Sequence, residues 1–180
     1  MSAAFAGSAH AAALDEDFRS LCVAHKGAST PILAAADAAG WKVLPTNGAP
    51  PPQIPGGGTL KTFSMRLKSE GATPRLLVVG DGSVPGDDGQ PEVAMKICFL
   101  ASTQPDPDSL ASEKASLKGE PTLQTPQATI YLVETASGAV SPLKGDAADA
   151  KFKKGELATV MLMDTPQATA FGYQLPQPNP

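Results

Sequence analysis

The chain has 180 residues, of which 42% are hydrophobic and 5% aromatic, and a formal net charge of −4. That length fits one domain, and the apolar content is enough for a core, which excludes disorder throughout. Lysines and arginines are scattered, with no basic stripe interleaved with aromatics, so nucleic acid is not expected as a partner. No apolar run reaches the ~18 to 20 residues of a transmembrane helix.

Residues 1–13 carry Ala9-His10-Ala11 before Ala12, a small-x-small site suited to signal peptidase. The basic n-region is missing and the apolar part is short. The segment is read as a signal-peptide remnant, with an unstructured tail as the alternative; whether Met1 is the true start stays open. Leu14 then opens a helix that Asp15 can cap, with Phe18, Leu21, Cys22 and His25 on one face and Gly27 at its end. A second helix starts at Thr30-Pro31, with Thr30 or Ser29 as cap, and stops at Gly40. The two form a helical hairpin. Residues 41–45 read as a short strand.

Residues 46–58 hold Pro50-Pro51-Pro52 and three consecutive glycines, an exposed loop. Polyproline recognition is its functional reading, and a plain connector the preferred one. Residues 60–68 alternate as an antiparallel strand with one wet face, and 75–79 return as its partner. In 80–89 the aspartates Asp81, Asp87 and Asp88 raise a calcium site. The EF-hand spacing is absent, and a turn rich in Asp and Gly explains the stretch better.

Residues 92–102 are the least ambiguous strand. Val93, Met95, Ile97, Phe99 and Ala101 share one face, and Ala94, Lys96, Cys98 and Leu100 the other, so the strand is central and covered on both sides. Asp106-Pro107 starts a surface helix that ends before Gly119. Strands follow at 129–135, 157–163 and 168–175, with 143–155 a solvated connection and 176–180 a frayed tail. Thr125-Pro126-Gln127-Ala128-Thr129 recurs as Thr165-Pro166-Gln167-Ala168-Thr169. Coincidence in an Ala/Thr/Pro-rich chain is the preferred reading, and a duplicated strand entry the other.

Chemistry centres on Cys22, His25 and Cys98. A structural Cys22–Cys98 disulfide is the preferred reading; buried thiols, a Cys22 nucleophile with His25 as base, and a metal site of all three remain as alternatives. A nucleophile lacks a Gly-rich elbow, and a metal site lacks a fourth ligand. No dinucleotide, Walker, GxSxG, HExxH or CxxC pattern occurs, and no cofactor is expected.

Phe18-Arg19-Ser20-Leu21-Cys22, then Ala34-Ala35-Ala36-Asp37-Ala38-Ala39-Gly40-Trp41, and later the strand with Cys98 resemble a group of small exported proteins of proteobacteria with two cysteines and no assigned function. The resemblance covers the first forty residues and the central strand. It implies export and the cysteine pairing, and no catalytic residues.

The sequence thus predicts one α+β domain over 14–175: an N-terminal helical hairpin packed on a mostly antiparallel sheet of about five to seven strands. The expected function is non-enzymatic, a periplasmic or secreted module binding an unidentified envelope ligand or protein. A concave sheet face or the loop at 46–58 would be its contact surface. The runner-up is a cell-envelope hydrolase or transferase using Cys22 and His25; a cytosolic protein with reduced thiols is a third reading. Sequence leaves the partner and oligomeric state undetermined.

Overall fold

The structure, a computed structural model, describes residues 13–46, 48, 50–51, 58–69, 73–85 and 92–178. The expected leader and its cleavage site, most of the Pro/Gly loop, and Asp87 and Asp88 lie outside the described residues.

Strands β1 (Lys42–Leu44), β2 (Thr59–Lys68), β3 (Arg75–Val84) and β4 (Val93–Ser102) form one antiparallel meander. Strands β5 (Leu123–Gln124), β6 (Ala128–Glu134), β7 (Leu157–Asp164) and β8 (Thr169–Pro176) form a second. They join where β8 pairs with β4, giving one eight-stranded sheet in the order β1-β2-β3-β4-β8-β7-β6-β5. The expected five to seven strands missed the two-residue β5, too short to show an alternation. Strand β4 is central, as its two apolar faces require.

Helices α1 (Leu14–Phe18), α2 (Ser29–Ala38) and α3 (Pro107–Ser116) gather on one face, and α4 (Gly145–Lys153) packs on β7. The core beneath the first three holds Phe18, Ile32, Leu77, Cys98, Leu100 and Phe171. Phe18 and Phe171 meet edge to face at 5.4 Å between centroids, a contact worth about 0.5–1.5 kcal/mol beyond the area it buries. The opposite face carries a smaller cluster of Leu60, Val78, Met95 and Ile97, against which Phe152 of α4 packs.

Expectations for several segments need correction, first among them the N-terminal helices. The first helix is not a plain α-helix ended at Gly27: α1 passes into a π-helical segment, Arg19–Val23, and only then into the turn before α2. Asp15 is not its cap, since Ala13 holds that position and Asp15 is buried in the first turn. The α1 N-terminus is satisfied from outside, where Leu14 N–H donates to Ser109 Oγ of α3 at 3.1 Å. Ser29 and Thr30 likewise do not cap α2, which Ala28 precedes without a side-chain bond.

The second correction concerns β2. Its polar residues Ser64, Arg66 and Lys68 pair in register with Val79, Leu77 and Arg75, and Leu77 and Val79 belong to the core under the helices. The face read as wet therefore lies under helices. Third, β3 extends through Gly80, Asp81 and Gly82, for which the sequence predicts a loop. The register of β2 slips between Leu60 and Thr62, a bulge that brings its backbone close. A Cβ at Gly80 would run into the Thr62 carbonyl, and one at Gly82 into that of Thr59. Those glycines keep the ladder intact. Fourth, 145–153 is helix α4 where a solvated connection was expected; only Ala148 is buried along it, so the apolar signal was too thin.

The chain also stays ordered past 175: β8 includes Pro176, and Gln177 N–H donates to Ala94 O at 2.7 Å.

Candidate functional site

Cys22 and Cys98 form a disulfide, both fully buried, with Cα atoms 5.5 Å apart. The bond joins the π segment to the middle of the central strand. His25 follows in the turn, half-buried, its carbonyl accepting Ala28 N–H at 3.0 Å. With its sulfur in the disulfide, Cys22 presents no thiolate for His25 to serve. Asp81 lies exposed on β3 and accepts from Gln177 Nε2 at 3.0 Å. Among the described residues no group of three or more His, Cys, Asp or Glu is placed to hold a metal ion.

The disulfide starts a row that leads elsewhere. Cys98 pairs across strands with Tyr173, Tyr173 with Val160, and Val160 with Tyr131. Tyr173, Val160 and Val133 floor a cleft of about 350 Å³ between this half of the sheet, the π segment and the end of α3. Burial pushes the Tyr173 hydroxyl up to about 12, so it stays a neutral phenol at physiological pH.

The cleft wall is ionic. Arg19 Nε donates to Glu113 Oε2 at 2.7 Å, and its Nη2 donates to Asp15 Oδ2 and to Ser112 Oγ, the latter at 3.1 Å. Ser112 Oγ in turn donates to Asp15 Oδ2 at 2.6 Å. Two buried carboxylates thus hold the guanidinium of a side chain that is itself 42% exposed. Asp106 makes this possible by capping α3, accepting Ser109 N–H at 3.0 Å, which sets the turn that presents Ser112 and Glu113. Burial raises the Glu113 carboxyl above the usual range, and its Arg19 partner pulls the other way. Lys26, at φ 49, also lines the cleft and makes no ion pair among the described residues. Glu134 stands on the β6 side, accepting from Ser137 Oγ at 3.1 Å.

Arg19, Lys26, Glu113 and Tyr173 are not among the residues that sequence alone marks for chemistry. One signal was present: Leu110, Glu113 and Leu117 fall at i, i+3 and i+7 of α3, so the glutamate sits on the helix's own apolar stripe. Arg19 is marked locally only by Asp15 four residues before it; its other carboxylate partner, Glu113, lies 94 residues away.

No helix among the described residues is long and apolar enough to cross a membrane. No protein-family model, no curated protein and no solved structure matches the chain.

Proposed function

We propose that this protein is a non-enzymatic binding module of the cell envelope, exported to the periplasm or beyond, whose ligand enters the cleft beside Arg19, Lys26 and Tyr173. The cleft carries the reading: apolar side chains make its floor, and its wall holds Lys26 and a guanidinium, Arg19, fixed by buried carboxylates. Ligand sites combine an apolar enclosure with a few convergent polar groups in this way. Shifted carboxyl and phenol groups beside a cleft point to the same place. Export is supported by the Cys22–Cys98 disulfide, a bond that persists in oxidising compartments. The same bond favours binding over the hydrolase or transferase alternative, which needs Cys22 reduced.

The test is native mass spectrometry of protein purified from its own host, alongside Ala136→Trp, a substitution at an exposed turn residue that lines the cleft. Expected are recovery from the periplasm or medium, thiols labelled only after reduction, and a bound small molecule that the variant lacks. Cytosolic protein with freely labelled thiols would refute export, and an adduct retained by Ala136→Trp would refute the cleft.

A further inference from the structure

The chemistry of the cleft narrows its ligand. Arg19 spends Nε and Nη2 on Glu113, Asp15 and Ser112, while its Nη1 makes no hydrogen bond among the described residues. A guanidinium held by two buried carboxylates, with one nitrogen unspent, is prepared to meet an acceptor at reduced entropic cost. Lys26 lies seven residues on, past the π segment, and lines the same cleft. Its left-handed backbone, at φ 49, is unusual for a residue with a side chain. Cys22, whose carbonyl accepts Gly27 N–H at 3.0 Å, ties that turn to the disulfide.

The carboxylates around the cleft keep their charge, but each turns one oxygen to a donor of the protein. Asp15 and Glu113 are engaged with Arg19, and Glu134 takes the Ser137 hydroxyl on the β6 side. Lys26 and the spare edge of Arg19 therefore make one wall that donates, above a floor of Val133, Val160 and Tyr173. A volume of about 350 Å³ is at the lower end of the range for ligand pockets, roughly 300–1,000 Å³, which suits a small molecule.

We infer that the cleft binds a small amphipathic monocarboxylate, its carboxylate received by Arg19 Nη1 and Lys26 Nζ and its apolar body laid on Val133, Val160 and Tyr173. The inference rests on the cleft being the binding site and adds the charge and shape of what enters it. Asp15 and Glu113 are positioning residues here: they act on the ligand through Arg19.

Three probes with one ring and different head groups separate the possibilities: benzoate, benzamide and benzylamine, titrated into wild-type protein, Lys26→Gln and Ala136→Trp by calorimetry. Lys26 and Ala136 are exposed, so neither substitution removes core. Benzoate is expected to bind wild type about tenfold tighter than benzamide, the scale of one charge-assisted hydrogen bond, with benzylamine weakest. Lys26→Gln should cut benzoate binding about tenfold and leave benzamide unchanged. Ala136→Trp should abolish all binding. If benzamide or benzylamine matches benzoate while Ala136→Trp still removes both, the carboxylate assignment is overturned and the cleft survives. If benzoate binds Ala136→Trp as it binds wild type, or no probe binds wild type at all, the inference and the cleft reading fall together.

Discussion

Asp17, Lys68 and Arg75 show what a single carboxylate does when it is the right one to bury. Lys68 and Arg75 face each other across β2 and β3, each less than a tenth exposed. Two cations so placed repel each other in a medium that screens poorly. Asp17 of α1 enters between them, paired with Arg75 and 3.9 Å from Lys68 Nζ, while Lys68 also lies over the Trp41 ring at 5.7 Å. Removing one member of a buried ionic group costs more than the group contributes, because the remaining charges lose their compensation. Asp17→Ala is therefore expected to destabilise by about 3 kcal/mol or more in urea unfolding, and Asp17→Asn by nearly as much. A loss below about 1 kcal/mol, the scale of exposed pairs, would show that the group is solvated.

Glu113 offers a second test at this scale. Its carboxyl is raised in the folded chain, first by burial. The folded state therefore holds that proton more tightly than the unfolded state does. The corresponding stability is complete below the ordinary value of 4.5 and is lost as pH rises through the raised value. Glu113→Gln keeps an acceptor for Arg19 and cannot titrate. Urea melts across that window should show stability falling with pH less steeply in the variant, and superimposable profiles would refute the assignment.

Among the elements, the π segment is the least regular and the most consequential. Its wider turn, with Ala24 N–H bonded to Arg19 O at 2.9 Å, lets Cys22 and Leu21 point into the core while Arg19 and Val23 reach the cleft. The disulfide holds it there across 76 residues of chain. On the chain-entropy account, closing a loop of that length stabilises by about 4 kcal/mol. A Cys22→Ala/Cys98→Ala double variant should lose an amount in that range, and reduced wild type should match it. A loss under about 1 kcal/mol in both would mean that packing alone holds the helix to β4.

The two Thr-Pro-Gln-Ala-Thr copies are instructive in another way. Each forms the turn before a strand, β6 or β8, with the threonine N–H bonded to the alanine carbonyl (2.8 and 3.0 Å) and its Oγ1 accepting the alanine N–H (3.0 and 3.1 Å). Asp164 N–H bonds to Gln127 O, so the turns are neighbours at one end of the sheet. A recurrence that looked like composition in the sequence is one local structure used twice.

At the scale of the molecule, two meanders share one core. Leu77, Cys98 and Leu100 from the first half lie in the same cluster as Tyr131, Val160 and Phe171 from the second. The seam between β4 and β8 is tight: Phe99 lies across Gly172, where a Cβ would collide with the ring. Neither half can bury its face alone, so unfolding should be a single transition with equal calorimetric and van 't Hoff enthalpies. Two resolved transitions, one for each meander, would contradict that architecture.

What the sequence determined by itself is local. Strand β4 alternates over ten residues, so both its faces and its central place could be read from residue types alone. Asp106 before Pro107 marked the start of α3 because capping involves only neighbours in the chain. The cysteine pairing was legible because only two cysteines exist. What covers a face is a different kind of fact. Alternation in β2 separated Lys68 from Phe63, but the covering helices came from elsewhere and put the polar side under them. Helix α4, with one buried residue, left no pattern to read. Most of the cleft was illegible for the same reason. Arg19 reaches Glu113 across 94 residues, and Tyr173 reaches Cys98 only because β8 returns to the centre of the sheet. Charges and rings that meet through topology carry no signature in the chain, because their energy depends on neighbours that folding alone supplies.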